Sequence, residues 1–122
     1  YALAYALAVD ADREEALADA LIRTWSAAKP RPGYPPALKS YLAQGQALVH
    51  QRLHERAAIA YRQAARFCPW AAEAHFNAGL ILGEYQHYPQ ALAAMRRARA
   101  LLPEGPQAQD AEGLLATWEL LE

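Results

Sequence analysis

The chain of 122 residues carries a formal net charge of −1, with 54 % hydrophobic and 20 % charged residues. This length suits one domain with a single core, and the one cysteine excludes an internal disulfide and a cysteine-based metal site. Every apolar stretch falls short of the ~20 residues that cross a bilayer, which predicts no membrane insertion. Alanine dominates the composition, few residues are β-branched and no polar–apolar alternation occurs, so we expect an all-α fold.

Charge is distributed unevenly along the chain. Residues 1–24 hold five acidic and two basic side chains, residues 25–100 hold three and ten, and residues 101–122 hold five acidic ones. The basic middle could attract nucleic acid, or it could attract the acidic ends of the same chain. We favour the second interpretation, with no nucleic-acid partner, because the bases are spread over several predicted helices with few aromatic residues between them.

The first third of the chain has the weakest pattern. YALAYALAVDAD lacks an initiating methionine and the basic start of a signal peptide, so it could begin a mature chain or an excised piece. Asp12 followed by Glu15 resembles a capping box and predicts a helix that runs to about Ala28. We interpret residues 1–28 as an N-terminal helical cap or a degenerate repeat. Residues 29–37, which contain KPRPGYPP, are predicted to form a proline-rich linker.

The rest of the chain repeats itself with a period of 34 residues. The shift superimposes matching or similar residues, namely Tyr41 and His75, Gly45 and Gly79, Leu48 and Leu82, Ala57 and Ala91, Tyr61 and Met95, Arg62 and Arg96, Ala64 and Ala98, and Pro69 and Pro103. One further step places Gly113 at the glycine position. A fixed period of this length indicates a stack of identical supersecondary units.

These residues resemble the tetratricopeptide repeat (TPR) family, whose 34-residue unit has the pattern W-x2-L-G-x2-Y…A-x3-F…P. The two copies are residues 38–71 and 72–105, and residues 106–122 are similar to a terminal capping helix. The resemblance implies a right-handed superhelical stack of antiparallel helix pairs, with about six or seven helices. His75 and Met95 depart from the pattern by replacing aromatic residues, and Gln44 replaces a leucine.

Prolines and glycines define the predicted helices. Pro89 suits a first helical turn, whereas Pro69 and Pro103 end the second helix of each copy. Gly45 and Gly79 lie where the two helices of a copy cross closely, which explains glycine inside a helix without a phosphate-binding loop. The predicted helices are Pro36–Gln51, His54–Phe67, Ala72–Tyr85 and Pro89–Leu102.

Candidate chemical residues do not form a motif. His50 and His54 are four residues apart but straddle a predicted turn and lack the glutamate of HExxH, so we predict no metal site. His75 occupies a packing position, His87 lies in a turn, and Cys68 beside Pro69 suits a small apolar helix end. No nucleophile is paired with a base by its sequence context. We therefore predict neither a cofactor nor an enzyme.

The TPR resemblance implies that the first helix of each copy lines a concave groove that holds peptide segments. The predicted peptide-binding residues are Lys39, Leu42, Gln46, His50, Glu73, Phe76, Asn77, Leu80 and Glu84, with Val49, Asp110 and Leu114 as additions. Packing against the N-terminal helix is the alternative for Leu42, Val49 and Phe76. Asn77 matches one position of the carboxylate clamp of some TPR proteins, but Leu42, Gln46 and Ala111 replace its other polar residues. That clamp is therefore not expected here.

The function expected is a non-enzymatic protein–protein interaction or scaffold module that binds a peptide segment of another protein. One alternative is self-association, with a homodimer or the chain's own N-terminal segment filling the groove. Another is a regulatory domain appended to a larger protein. The second-helix arginines, Arg62, Arg66, Arg96, Arg97 and Arg99, are interpreted as a solvated outer face. A composition rich in alanine and arginine suggests a bacterial source, and the sequence does not decide between the cytoplasm and the periplasm.

Overall fold

A computed structural model describes residues 19–20, 22–23 and 33–121. Loops of three or four residues join five helices in this part of the chain: α1 (Pro36–His50), α2 (His54–Phe67), α3 (Ala72–Glu84), α4 (Tyr88–Leu101) and α5 (Pro106–Leu121). Each helix packs on the next one along the chain. The described residues contain no strand, which confirms the all-α prediction.

The four predicted helices of the two copies agree with the structure to within one residue at each end. Prolines occupy the first turn of α1 and of α4, where a missing N–H costs no helical hydrogen bond. The predicted helix from Asp12 to Ala28 lies mostly outside the described residues, of which 19, 20, 22 and 23 are helical. Residues 33–35 of the predicted linker are non-helical, and α1 begins at Pro36.

The turns α1–α2 and α3–α4 have the same backbone geometry, 34 residues apart. In the first turn the Leu53 N–H donates to the Leu48 carbonyl, and the Arg52 N–H donates to the Val49 carbonyl. Arg52 has a φ of 61°, and its equivalent Gln86 has a φ of 64°. The same two hydrogen bonds recur at Gln86 and at His87. Both turns are therefore Schellman caps whose left-handed position holds a residue other than glycine.

The core is built largely from alanine. Five alanines on α2, α4 and α5 are fully buried, at positions Ala57, Ala64, Ala91, Ala98 and Ala111. The largest side chains with almost no exposed surface are Leu92, Met95 and Leu101 of α4 and Cys68 at the end of α2. Since alanine has only a Cβ atom, the helices approach closely and the core depends on backbone proximity more than on large side chains.

Glycines mark the closest approaches between helices. A Cβ atom added at Gly45 of α1 would lie 2.7 Å from Cε1 of Tyr61 on α2. At Gly79 of α3 it would lie 3.2 Å from Cε of Met95 and 3.5 Å from the Ala91 carbonyl oxygen of α4. Both glycines lie at helix crossings as predicted, but only at Gly45 would an added Cβ overlap a ring, whereas at Gly79 it would require a small shift of the flexible Met95 side chain.

Two further glycines on the helices extend this comparison. Gly83, which the sequence analysis did not single out, meets the indole of Trp118, so that α3 contacts α5 as well as α4. Gly113 has no atom within 4 Å of an added Cβ. The third glycine position of the 34-residue period is therefore open in the described part of the chain.

Ion pairs join α4 to the acidic elements on either side of it in sequence. Arg96 pairs with Glu119 of α5 at 3.2 Å, and Arg99 pairs with Glu104 at 2.8 Å and with Glu112 at 2.7 Å. Arg97, which is 12 % exposed, binds both carboxylate oxygens of Asp19. These contacts confirm that the basic middle of the chain attracts its acidic ends. Arg96 and Arg99 therefore form an outer surface whose charges are matched within the molecule, whereas Arg97 is mostly buried against Asp19 and does not belong to the predicted solvated face.

Candidate functional site

Eight of the predicted binding residues lie along one side of the first helix of each pair. We call this surface the first-helix face, formed by Lys39, Leu42, Gln46 and His50 of α1 and by Glu73, Asn77, Leu80 and Glu84 of α3. Spacings of three and four residues place such side chains on one face of a helix. Lys39, Gln46, His50, Glu73 and Glu84 are exposed, and the other three are partly buried. The face therefore presents polar groups beside a partly apolar surface.

At one end of the first-helix face the two helices share an open cavity of about 310 Å³. Its apolar walls come from Tyr34, Pro35, Pro36, Leu38, Leu42 and Ala71, and its charged residues are Lys39 and Glu73. Lys39 and Glu73 are 34 residues apart and so occupy the same position in the two copies. We call this cavity the Tyr34 pocket. It brings three predicted residues, Lys39, Leu42 and Glu73, into one site.

The pocket wall formed by Tyr34 and Pro35 was not predicted to take part in binding. The Trp70 Nε1–H donates to the Gly33 carbonyl at 3.1 Å, which ties this stretch to the α2–α3 loop. The Leu38 N–H donates to the Pro35 carbonyl at 3.0 Å, and Leu38 is buried. Tyr34 is 63 % exposed. The sequence feature that could have indicated this wall is a tyrosine followed by two prolines, because prolines favour a fixed extended backbone.

The structure places Phe76 away from the open surface. Phe76 is only 9 % exposed and packs in a cluster with α4 and α5 that includes Leu92, Met95 and Trp118. Leu80 packs against the same cluster from its edge. Phe76 is therefore a core residue and not part of the predicted peptide-binding surface.

Leu42 and Val49 also contribute to the core. Both are partly buried and pack against the cluster formed by α2 and α3, which contains Tyr61 and Ile81. Leu42 also lines the Tyr34 pocket. The predicted alternative, packing against the N-terminal helix, concerns residues that lie mostly outside the described part of the chain. Among the described residues, the partners of Leu42 and Val49 are on α2 and α3.

The polar groups of the first-helix face are available to a partner. Within the described part of the chain, neither Lys39 nor Glu73 forms an ion pair, and the Asn77 amide forms no hydrogen bond. The negative charge of Glu73 reaches the neighbouring core: burial and, secondly, this charge raise the pKa of Tyr61. The first-helix face thus differs from α4, whose arginines are bound to carboxylates of the same chain.

His75 is buried and neutral. It is 4 % exposed, and its Nε2 lies 2.8 Å from the Pro69 carbonyl oxygen, which makes this nitrogen the donor. Burial lowers the pKa of His75 to about 4, against the weaker opposing effect of the Pro69 hydrogen bond. Arg97 lowers this pKa further and Asp19 raises it. The packing role predicted for His75 is confirmed.

Cys68 and His54, two other candidate chemical residues, lie in different places and do not form a common site. Cys68 is buried at the end of α2, and burial raises the pKa of its thiol, so the thiol stays protonated. His54 begins α2 and contacts the Tyr85 ring with 5.5 Å between ring centroids. In the described ranges, no group of three or more histidine, cysteine, aspartate or glutamate side chains is arranged to hold a metal ion.

None of the described helices combines the length and apolar character that crossing a membrane requires.

Comparisons with known proteins leave the chain without a family assignment. Neither the known protein-family models nor the curated protein sequences give a match to this chain.

Proposed function

We propose that this chain is a TPR-like, non-enzymatic module that binds a peptide segment of a partner protein along its first-helix face. The observation that carries the proposal is the Tyr34 pocket, where α1 and α3 join an apolar cavity to two charges without a partner in the described part of the chain. A peptide can bury an apolar side chain there while its backbone contacts polar groups farther along the helices.

Two features support a TPR-like arrangement. Both helix pairs end their first helix with the same Schellman cap, and both pack a first-helix glycine against the second-helix residue sixteen positions later. In a stack of such units the first helices lie side by side and form a continuous surface. A continuous surface is suited to an extended or helical segment, which needs several contacts along its length.

The charge distribution supports the first-helix face over the outer surface as the binding side. Charged groups that already pair within the chain must break those contacts before they can bind a partner. The α4 arginines are paired in this way, whereas Lys39 and Glu73 form no ion pair with any residue that the structure describes. The surface with unmatched groups is therefore the better recognition surface.

A peptide selection tests the proposal. We would select a random peptide library displayed on phage against the full chain, synthesise the enriched peptides and measure their affinity by fluorescence anisotropy. Gln46→Arg and Asn77→Ala should weaken binding at least about fivefold, since both change side chains on the first-helix face. Gln63→Arg, the same change at an exposed position of α2, is the matched control and should leave affinity unchanged. Failure to enrich any peptide, or equal effects of Gln46→Arg and Gln63→Arg, would overturn the proposal.

Solution mass distinguishes a foreign partner from a second copy of the chain. Light scattering should give the mass of one chain, 13.5 kDa, for wild type and for Gln46→Arg. A wild-type dimer that Gln46→Arg converts to a monomer would show that the first-helix face binds a second copy. That result would replace the proposal with self-association.

A further inference from the structure

We propose that the Tyr34 pocket is an anchor site that selects a peptide by one large apolar side chain flanked by one acidic and one basic residue. This inference rests on the proposed function and specifies the chemistry of the partner. The occupant is a segment of another protein with a central aromatic or long aliphatic residue.

The size and lining of the pocket fit one side chain. Its volume of about 310 Å³ lies at the lower limit of ligand pockets and is sufficient for one large side chain. Six of the eight lining residues are apolar, and two of them are prolines next to Tyr34. An aromatic or aliphatic side chain would lose most of its contact with water there.

The walls of the pocket are held in place before a partner binds. Leu38 and Ala71 are 3 % and 1 % exposed, so the base of the pocket is part of the core. The wall formed by Tyr34 and Pro35 is tied to the body of the chain by the hydrogen bond from Trp70 to the neighbouring Gly33 and by the first turn of α1. A preformed pocket saves the ordering entropy that a mobile surface would lose on binding.

The charges at the pocket give it a selectivity that apolar contact alone lacks. Lys39 lies on α1 and Glu73 at the equivalent position of α3, and both are exposed and without an ion pair among the described residues. An acidic residue beside the anchor would pair with Lys39, and a basic residue on the other side would pair with Glu73. Like charges at either position would be repelled, so the pocket should prefer a neutral combination of opposite charges.

Four synthetic peptides test this selectivity directly. Each is a fluorescein-labelled heptapeptide with capped ends and glycine–serine flanks. Three have a central phenylalanine between an aspartate and an arginine, between two aspartates, or between two arginines, and the fourth replaces the phenylalanine of the mixed peptide by serine. Because the glycine–serine flanks specify no direction, the mixed peptide can bind in the orientation that places its aspartate beside Lys39 and its arginine beside Glu73.

Wild type should bind the mixed phenylalanine peptide about two- to fivefold more tightly than either like-charged peptide in 50 mM salt. The range is what one exposed ion pair contributes. Lys39→Glu, which leaves two anions, should shift the preference to the doubly basic peptide. Glu73→Lys, which leaves two cations, should shift it to the doubly acidic peptide. All these preferences should largely disappear in 500 mM salt.

Two further variants test the anchor. Tyr34→Ala should weaken the three phenylalanine peptides about fivefold and bring the mixed one close to the serine peptide. Tyr85→Ala, at a partly exposed tyrosine at the opposite end of α3, should not affect any of them. Arg52→Glu is the control for charge reversal at Lys39, and it should leave the preferences among the peptides unchanged.

Amide shifts in nuclear magnetic resonance spectra separate the two levels of the proposal. Shifts at Lys39, Leu42 and Glu73 on addition of the mixed peptide would support the anchor site. An equal affinity for the three phenylalanine peptides, unchanged preferences in Lys39→Glu and Glu73→Lys, or shifts confined to Gln46, His50 and Leu80 would overturn it. Any of these results leaves the proposed function standing if the displayed library has yielded peptides that Gln46→Arg weakens.

Discussion

The buried imidazole of His75 makes the stability of the fold sensitive to acid. In the unfolded chain its pKa is near 6.5, whereas in the fold it is about 4. Between these values the unfolded state binds a proton that the folded state does not, so the free energy of unfolding falls as the pH falls from 6.5 towards 4. The shift corresponds to a loss of about 3 kcal/mol at the acid end. Urea unfolding followed by circular dichroism at pH 7.5, 6.5, 5.5 and 4.5 would measure it.

His75→Gln isolates this effect from the titration of carboxylates, which both proteins share. The glutamine amide can donate to the Pro69 carbonyl but has no proton to gain in this range. We expect the variant to be less stable than wild type at pH 7.5 and to lose less stability on acidification. If the two proteins lost the same free energy between pH 6.5 and 4.5, burial of a neutral His75 would not be the cause.

Arg52 and Gln86 occupy the left-handed position of the two Schellman caps, where most helices have glycine. A side chain in this left-handed conformation destabilises the fold by about 1 kcal/mol. Glycine removes that strain, but part of the gain is lost because glycine also gives the unfolded chain more conformational freedom. Arg52→Gly and Gln86→Gly should therefore each raise the free energy of unfolding by about 0.5 kcal/mol or more. Urea denaturation of the single and double variants would measure this. Destabilisation by both would contradict the positive φ values.

At the scale of helices, the glycines differ in how closely a neighbour approaches. An alanine Cβ at Gly83 would lie 2.6 Å from Cε2 of Trp118, and one at Gly45 would lie 2.7 Å from Cε1 of Tyr61. Both rings are buried, so relief of the overlap must move a helix. Gly83→Ala and Gly45→Ala should each destabilise the fold by about 1–3 kcal/mol. Thermal unfolding of the two variants would show this as a lower midpoint.

Gly79→Ala and Gly113→Ala provide the comparison. The nearest atom at Gly79 is the flexible Cε of Met95, and Gly113 has no close neighbour. Alanine gains up to about 1 kcal/mol over glycine inside a helix. Gly113→Ala should therefore stabilise the fold by about that amount, and Gly79→Ala should be neutral or slightly stabilising. A destabilising Gly113→Ala would mean that this position is covered.

The helices and their repeat could be predicted from the sequence because proline, glycine and alanine positions reflect local backbone constraints. Pro36 and Pro89 mark helix starts to within one residue, and Gly79 was assigned correctly to helix packing. Contacts between non-consecutive helices could not be predicted in this way. The approach of Trp118 to Gly83 and the burial of Phe76 depend on where α5 lies against α3, which no short-range pattern encodes.

The candidate site was predictable in part for the same reason. Lys39, Leu42 and Glu73 were predicted from the resemblance of the two copies to TPR units, and the structure brings them together in the Tyr34 pocket. The pocket itself depends on the path of residues 33–35, which is fixed by a hydrogen bond from Trp70, 37 residues away. A sequence pattern names the face of a helix, but the depth of a site on that face comes from tertiary contacts.

For the whole molecule, the described N-terminal residues bear on whether the first-helix face is open. Ile22 is 2 % exposed and packs in a cluster with Ala72 and Leu101, and Asp19 binds Arg97 on α4. None of these partners belongs to the first-helix face. Asp19 and Ile22 therefore pack and pair beside α3 and α4 and not on the proposed binding surface.

This arrangement predicts that Ile22 stabilises the fold without affecting binding. Ile22→Ala should lower the free energy of unfolding by about 2 kcal/mol, because it removes buried apolar volume. Leu120→Ala, at a residue that is 88 % exposed, should change it by less than about 0.5 kcal/mol. Peptides from the display selection should bind Ile22→Ala as they bind wild type, at a temperature where both are folded. Tighter binding by Ile22→Ala, with little loss of stability, would show instead that the N-terminal segment competes with peptides for the first-helix face.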